Sequence, residues 1–159
     1  MTQRLRLLVE YDGRPFSGWQ RQEGHPTVQG ALERAAEALD GQPVIVYGAG
    51  RTDAGVHATG QVAHLELQKP RPLRKIADAL NHHLRPDPVS VLDAEEVGED
   101  FHARFSATGR AYRYIIVSRR AHLTFENGLL WRVPVPLDVN AMQTAADHLI
   151  GEHDFSTFR

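Results

Sequence analysis

A glycine-rich stretch from residue 47 to residue 58 carries the side chains best suited to chemistry. Arg51, Thr52 and Asp53 place a cation, a hydroxyl and a carboxylate side by side. Gly50 and Gly55 flank them, and glycine adopts backbone angles and close approaches that other residues cannot. The order predicts a loop that presents a carboxylate able to act as a base or a nucleophile.

Two predicted strands flank this loop. Residues 44–47 form a short β-branched run bounded by Pro43 and Gly48, and residues 61–67 alternate polar and apolar side chains at the strand period. The polar side chains of the loop are therefore expected at the rim of a sheet.

Better-known glycine motifs do not fit the stretch. A phosphate-binding P-loop needs Gly-Lys-Ser/Thr, whereas Arg51 and Thr52 follow Gly50. A dinucleotide fingerprint needs a third glycine where Asp53 stands. The residues alone also allow a plain glycine-rich turn in which Asp53 accepts backbone hydrogen bonds.

The order Gly-Arg-Thr-Asp-Ala-Gly-Val-His at residues 50–57 resembles the active-site motif of the tRNA pseudouridine synthase A family. Six further blocks occur in the family's order, at residues 10–13, 18–22, 59–62, 100–108, 112–114 and 151–155. The resemblance therefore extends along nearly the whole chain.

The resemblance implies an isomerase that converts uridine to pseudouridine in the anticodon stem-loop of tRNA, without a cofactor and as a homodimer. Asp53 matches the family's essential aspartate, and Arg51 matches the arginine that fills the stack vacated by a flipped nucleotide. Tyr112 matches the tyrosine that lies against the base. Arg104 and Arg110 are expected to contact phosphates or the anticodon arm.

The chemistry of the aspartate stays open at this point. Attack on the sugar, attack on the base and removal of a ribose proton each need one unprotonated, positioned carboxylate.

His57 is expected to order the loop by hydrogen bonding. The remaining histidines suggest no metal site, because His82 and His83 are adjacent on a predicted helix and point in different directions.

Charge and cysteine content limit the function classes. The 159 residues carry a formal net charge of −2, which argues mildly against a nucleic-acid partner. The segment 101–120, however, holds five arginines and no acidic residue. This stripe suits phosphate contacts, although a solvated strand face would look similar. The absence of cysteine excludes disulfides and thiolate metal sites. The N-terminus also shows no signal peptide or membrane span. Together with the absence of cysteine, this leads us to expect a cytoplasmic protein.

Hydrophobic periodicity predicts the order β-α-β-β-α-β over residues 1–99. The strands are predicted at residues 4–11, 44–47, 61–67 and 89–97. The helices begin after Thr27 and Pro72, and Gly41 is expected to end the first of them. This order indicates an α+β, ferredoxin-like fold similar to RNA-recognition modules, with an antiparallel sheet and helices on one face.

Residues 100–159 are expected to begin a second, similar α/β domain. Strands are predicted at 110–118 and 129–133, and a helix at 138–150. The resembling family continues further, so the chain is expected to be truncated before the residues that complete the cleft.

Two other functions remain open from the sequence. A non-catalytic RNA-binding domain would keep the sheet and the arginine stripe without turnover. A small-molecule nucleotide-binding enzyme would rest on the glycine loop alone.

Overall fold

A computed structural model of the chain describes residues 2–158. The chain divides into two compact units between Arg110 and Ala111, and each is described by itself. The first unit thus includes residues 100–110 in addition to the predicted first domain.

The first unit is a four-stranded antiparallel sheet with two helices. The elements are β1 (Gln3–Tyr11), α1 (Val28–Asp40), β2 (Tyr47–Gly48), β3 (Ala58–Leu67), α2 (Leu73–Leu84) and β4 (Val89–Glu96). The strand order is β2-β3-β1-β4, and every neighbouring pair is antiparallel. The predicted ferredoxin-like fold is therefore confirmed.

The core lies between one face of the sheet and the two helices. Leu5, Leu7 and Val9 of β1 are fully buried and alternate with partly exposed residues. Leu32 of α1 and Leu80 of α2 are buried in the same cluster. This alternation is what a sheet with one covered face requires, since successive side chains point to opposite sides.

Helix α1 has the ends that its sequence predicts. The hydroxyl of Thr27 accepts a hydrogen bond of 3.2 Å from the backbone N–H of Gly30. Such a cap typically stabilises a helix by about 1 kcal/mol. Gly41 ends the helix in the left-handed conformation, at φ 77°.

Strand β2 is shorter than predicted: only Tyr47 and Gly48 pair with β3. Side chains of α1 bind the backbone of Val46, the residue before this strand. Glu33 accepts from the Val46 N–H at 3.2 Å, and the side-chain amide of Gln29 donates to the Val46 carbonyl at 2.9 Å. Both backbone polar groups of Val46 are therefore satisfied by α1 rather than by another strand.

The second unit has less regular structure than predicted. It contains β5 (Ile116–Ser118) and β6 (Trp131–Val133), which pair in parallel, and α3 (Val139–Asp147), followed by a short 3₁₀ turn (Ser156–Phe158). The predicted strand at 110–118 is wrong for residues 110–115, which lie outside β5. Tyr112 and Tyr114 are exposed there, and β6 offers only three residues to pair with β5. The predicted helix ends early, at Asp147.

Helix length and composition bear on membrane insertion. Within residues 2–158, no helix combines the length and the apolar character needed to cross a bilayer.

Candidate active site

The glycine-rich loop joins β2 to β3 and is fastened to the sheet at its start. The backbone N–H of Ala49 donates to the Val62 carbonyl at 2.8 Å. The Gln61 side chain donates to the Gly50 carbonyl at 3.1 Å. The loop thus leaves the sheet from a defined point.

Thr52 is held through both its side chain and its backbone. Its hydroxyl shares a hydrogen bond of 2.8 Å with the hydroxyl of Tyr11. Its carbonyl accepts from the backbone N–H of Trp19 at 2.9 Å. Trp19 is buried, and its ring lies 6.0 Å from that of Tyr11. The residue preceding Asp53 is therefore anchored to the core.

Asp53 itself faces solvent. Its side chain is exposed, and among residues 2–158 its carboxylate makes no hydrogen bond or ion pair. Its backbone carbonyl closes a turn by accepting from Val56 N–H at 3.2 Å. Arg51, two positions earlier, is exposed as well. An anchored loop with an open carboxylate can receive a substrate without first breaking an internal ion pair.

Glycines at two positions let the chain come close to this loop. A Cβ on Gly18, which has φ +102°, would lie 2.7 Å from the Thr52 carbonyl oxygen. A Cβ on Gly13 would lie 2.0 Å from the Val56 carbonyl oxygen. The segment after β1 therefore packs on the loop backbone to backbone, which no larger residue permits.

An ion pair lies beside the end of the loop. The Arg14 side chain binds the Asp12 carboxylate, with its Nε 2.9 Å from Oδ2. This hydrogen bond is the main reason that the pKa of Asp12 falls to about 2. The Nδ1 atom of His57 lies 3.2 Å from Asp12 Oδ1 and accepts from the Gly13 N–H at 3.2 Å. His57 thus orders the loop by hydrogen bonding, as predicted.

The other predicted site residues differ in where they lie. Arg110 donates to the Ala49 carbonyl at 2.6 Å, so it contacts the loop itself. Arg104 is exposed in the first unit, above the Phe105 ring. Tyr112 belongs to the second unit and is 71% exposed there. Contacts of Arg104, Arg110 and Tyr112 with a substrate stay predictions.

Sequence reasoning missed a buried histidine on β3. His64 is 3% exposed, and its Nδ1 accepts from the backbone N–H of Ala103 at 3.1 Å. Its ring stacks on Tyr47 at 4.9 Å and meets His102 edge-on at 4.6 Å. The segment 101–105 is thereby fixed to the sheet. A histidine alternating with apolar residues in a strand was the only signal in the sequence.

Burial lowers the pKa of His64 to about 4, and the nearby His102 and Arg4 lower it further, whereas Glu66 opposes them. The unfolded chain therefore binds a proton more readily than the folded one between pH 6.5 and 4. We expect the free energy of unfolding to fall by about 1 to 3 kcal/mol as the pH is lowered through this range, since solvent screening reduces the full effect of the shift.

Urea unfolding at a series of pH values measures this effect. His64→Gln keeps a hydrogen-bond acceptor that does not titrate, so its stability should depend much less on pH in the same range. Equal pH dependence in both proteins would refute the role of His64.

A metal site would require several ligand side chains close together. Within the described residues 2–158, no group of three or more His, Asp or Glu side chains is arranged to hold a metal ion.

Comparison with known proteins places the loop in a wider context. Residues 7–106 match the family profile described as tRNA pseudouridine synthase. A protein of Hyphomonas neptunium named tRNA pseudouridine synthase A is 64% identical over 156 residues, which are 98% of this chain and 63% of that protein. Proteins with the same name from Maricaulis maris and Rhodopseudomonas palustris are 62% and 61% identical, over 63% and 64% of their lengths. The chain thus spans less than two thirds of the length of these curated relatives.

Proposed function

Because this chain belongs to the tRNA pseudouridine synthase family, we propose that it acts in the isomerisation of uridine to pseudouridine in the anticodon stem-loop of tRNA. The observation that carries the proposal is the exposed carboxylate of Asp53 on a loop anchored to the core. The names and the identity of the relatives support the substrate class.

The reaction rearranges bonds within one nucleotide. The bond between uracil N1 and ribose C1′ breaks, the base turns, and C1′ bonds to C5. The hydrogen of C5 leaves as a proton and N1 gains one, so substrate and product are isomers. No group is transferred from outside and no electrons are exchanged, which is why we propose that no cofactor takes part.

Asp53 is the group that we propose to open the glycosidic bond. Attack on C1′, attack on the base and abstraction of a ribose proton all require a carboxylate that is ionised and free of internal partners. The exposed and unpaired side chain of Asp53 meets the second requirement.

Arg51 and Arg110 are proposed to act on the polynucleotide. A stacked uridine must leave its helix before a carboxylate can reach it, at a cost of about a few kcal/mol. Arg51 is exposed near Asp53, where its guanidinium can fill the vacated stack. Arg110 already donates one N–H to Ala49, and further N–H groups on its guanidinium can bind phosphate.

The remaining assignments are proposed from the resemblance. We propose that Tyr112 lies against the turned base and that Arg104 contacts the anticodon arm. We also propose a homodimer in the cytoplasm, with residues 100–159 forming the first part of a second domain. Chemical crosslinking and light scattering of the purified chain test whether it forms this dimer.

Release of tritium tests the proposed reaction. The chain is incubated with tRNA whose uridines carry tritium at C5, and label in the solvent is counted over time. Bond formation at C5 must expel the label, so steady release beyond that of a protein-free control is the expected result. Product analysis for pseudouridine confirms that exchange alone is not the cause.

A non-catalytic RNA-binding domain is the second candidate. It is favoured by the arginine-rich segment 101–120, which holds no acidic residue. This candidate predicts tRNA binding that weakens with salt, and no tritium release. Both proposals expect Asp53→Ala to bind tRNA as well as the unaltered chain, so tritium release is the measurement that separates them.

A further inference from the structure

The position of the Asp53 carboxylate depends on its backbone neighbours. Among residues 2–158 no side chain holds it by a hydrogen bond or ion pair. Thr52, the residue before it, is held by the Tyr11 hydroxyl at 2.8 Å and by the Trp19 N–H at 2.9 Å. Any group that fixes Thr52 therefore limits where Asp53 can lie.

Tyr11 has a defined position in the sheet, close to the loop. It ends β1, is paired with Ala58 of β3 and Val89 of β4, and is only 4% exposed. The surrounding cluster is apolar, and phenylalanine would fill the same space. What a tyrosine adds at this position is a hydroxyl, and that hydroxyl meets the loop at Thr52.

The two tethers on Thr52 differ in kind. The Trp19 tether is a backbone N–H, which any residue other than proline would supply. The Tyr11 tether joins two side chains that are 41 positions apart and exists only because both carry a hydroxyl. It is the tether that substitution can remove without altering the course of the backbone.

We infer that Tyr11 is a positioning residue, whose hydroxyl acts through Thr52 to hold the Asp53 carboxylate in its reactive place. The inference rests on the proposed function for its catalytic consequence. Small displacements of a catalytic group are costly, because a shift of about 1 Å can lower a rate by about a hundredfold.

Removing either hydroxyl tests the tether. Tyr11→Phe and Thr52→Val each delete one oxygen and keep the shape of the side chain. We expect kcat for tritium release to fall about tenfold in each variant, while KM stays within about twofold. Because both variants lose the same bond, the double variant should be no slower than the slower single one.

Tyr47→Phe is the matched control, because the Tyr47 hydroxyl is in the same sheet and makes no hydrogen bond within the described residues. It should leave kcat and KM unchanged. Wild-type kcat in Tyr11→Phe, or a double variant whose loss is the product of the two single losses, would overturn the inference.

Amide hydrogen exchange separates this inference from the proposed function. Tyr11→Phe should speed exchange in residues 50–57 and leave that of β1 unchanged. If the unaltered chain releases no tritium, the proposed function fails, and exchange then decides the tether. If residues 50–57 of Tyr11→Phe exchange as slowly as those of the unaltered chain, the tether is refuted, whatever the activity of the variant.

Discussion

Asp53→Ala is expected to reduce tritium release from C5-labelled tRNA by at least about a hundredfold, while the affinity for tRNA changes little. The reason is that one carboxylate carries the opening of the glycosidic bond in the proposed reaction. The Asp53 side chain has no internal partner among residues 2–158, so its removal leaves no buried charge unpaired and should not weaken the fold.

The matched control for this variant is Asp78→Ala. Asp78 is an exposed carboxylate on α2, and its removal should leave release unchanged. Asp53→Asn separates charge from shape, since the amide keeps the size of the side chain and cannot act as a base. If Asp53→Ala releases label as fast as the unaltered chain, Asp53 is not the catalytic group.

Gly13→Ala is expected to destabilise the first unit by about 3 kcal/mol or more. The added Cβ would lie 2.0 Å from the carbonyl oxygen and 2.5 Å from the carbonyl carbon of Val56. Both are backbone atoms, so the clash cannot be relieved by turning a side chain. The loop must move, and the hydrogen bond from the Gly13 N–H to His57 is expected to break with it.

Chemical denaturation followed by circular dichroism measures this loss. Gly109→Ala is the matched control, because a Cβ at Gly109 meets no atom within 4 Å. Its free energy of unfolding should stay within about 0.5 kcal/mol of the unaltered chain. A Gly13→Ala variant as stable as the Gly109→Ala variant would show that the loop accommodates the methyl group.

Local chemistry explains why α1 could be predicted to its ends. Thr27 supplies the capping oxygen and Gly41 supplies the left-handed residue, and both act within a few positions of the helix. The length of β2 could not be predicted in the same way. The β-branched run predicted a strand from residue 44, whereas Val46 bonds to Gln29 and Glu33 across 17 and 13 positions, and no periodicity indicates such a contact.

The candidate site shows the same division. The glycine-rich loop and Asp53 stand out in the sequence because their residue types and order are distinctive. The groups that hold the loop do not, because Tyr11 and Thr52 meet across 41 positions and Gly13 and His57 across 44. Only the pairing of β1 with β3 brings the members of each pair together.

The contacts of α1 with Val46 also affect how this protein behaves at high concentration. An outer strand with unsatisfied amide and carbonyl groups can recruit a strand from another molecule and seed aggregation. Here Glu33 and Gln29 already occupy both polar groups of Val46. The side chains that fasten α1 to the sheet therefore also leave Val46 without a free group for pairing with a strand of another molecule.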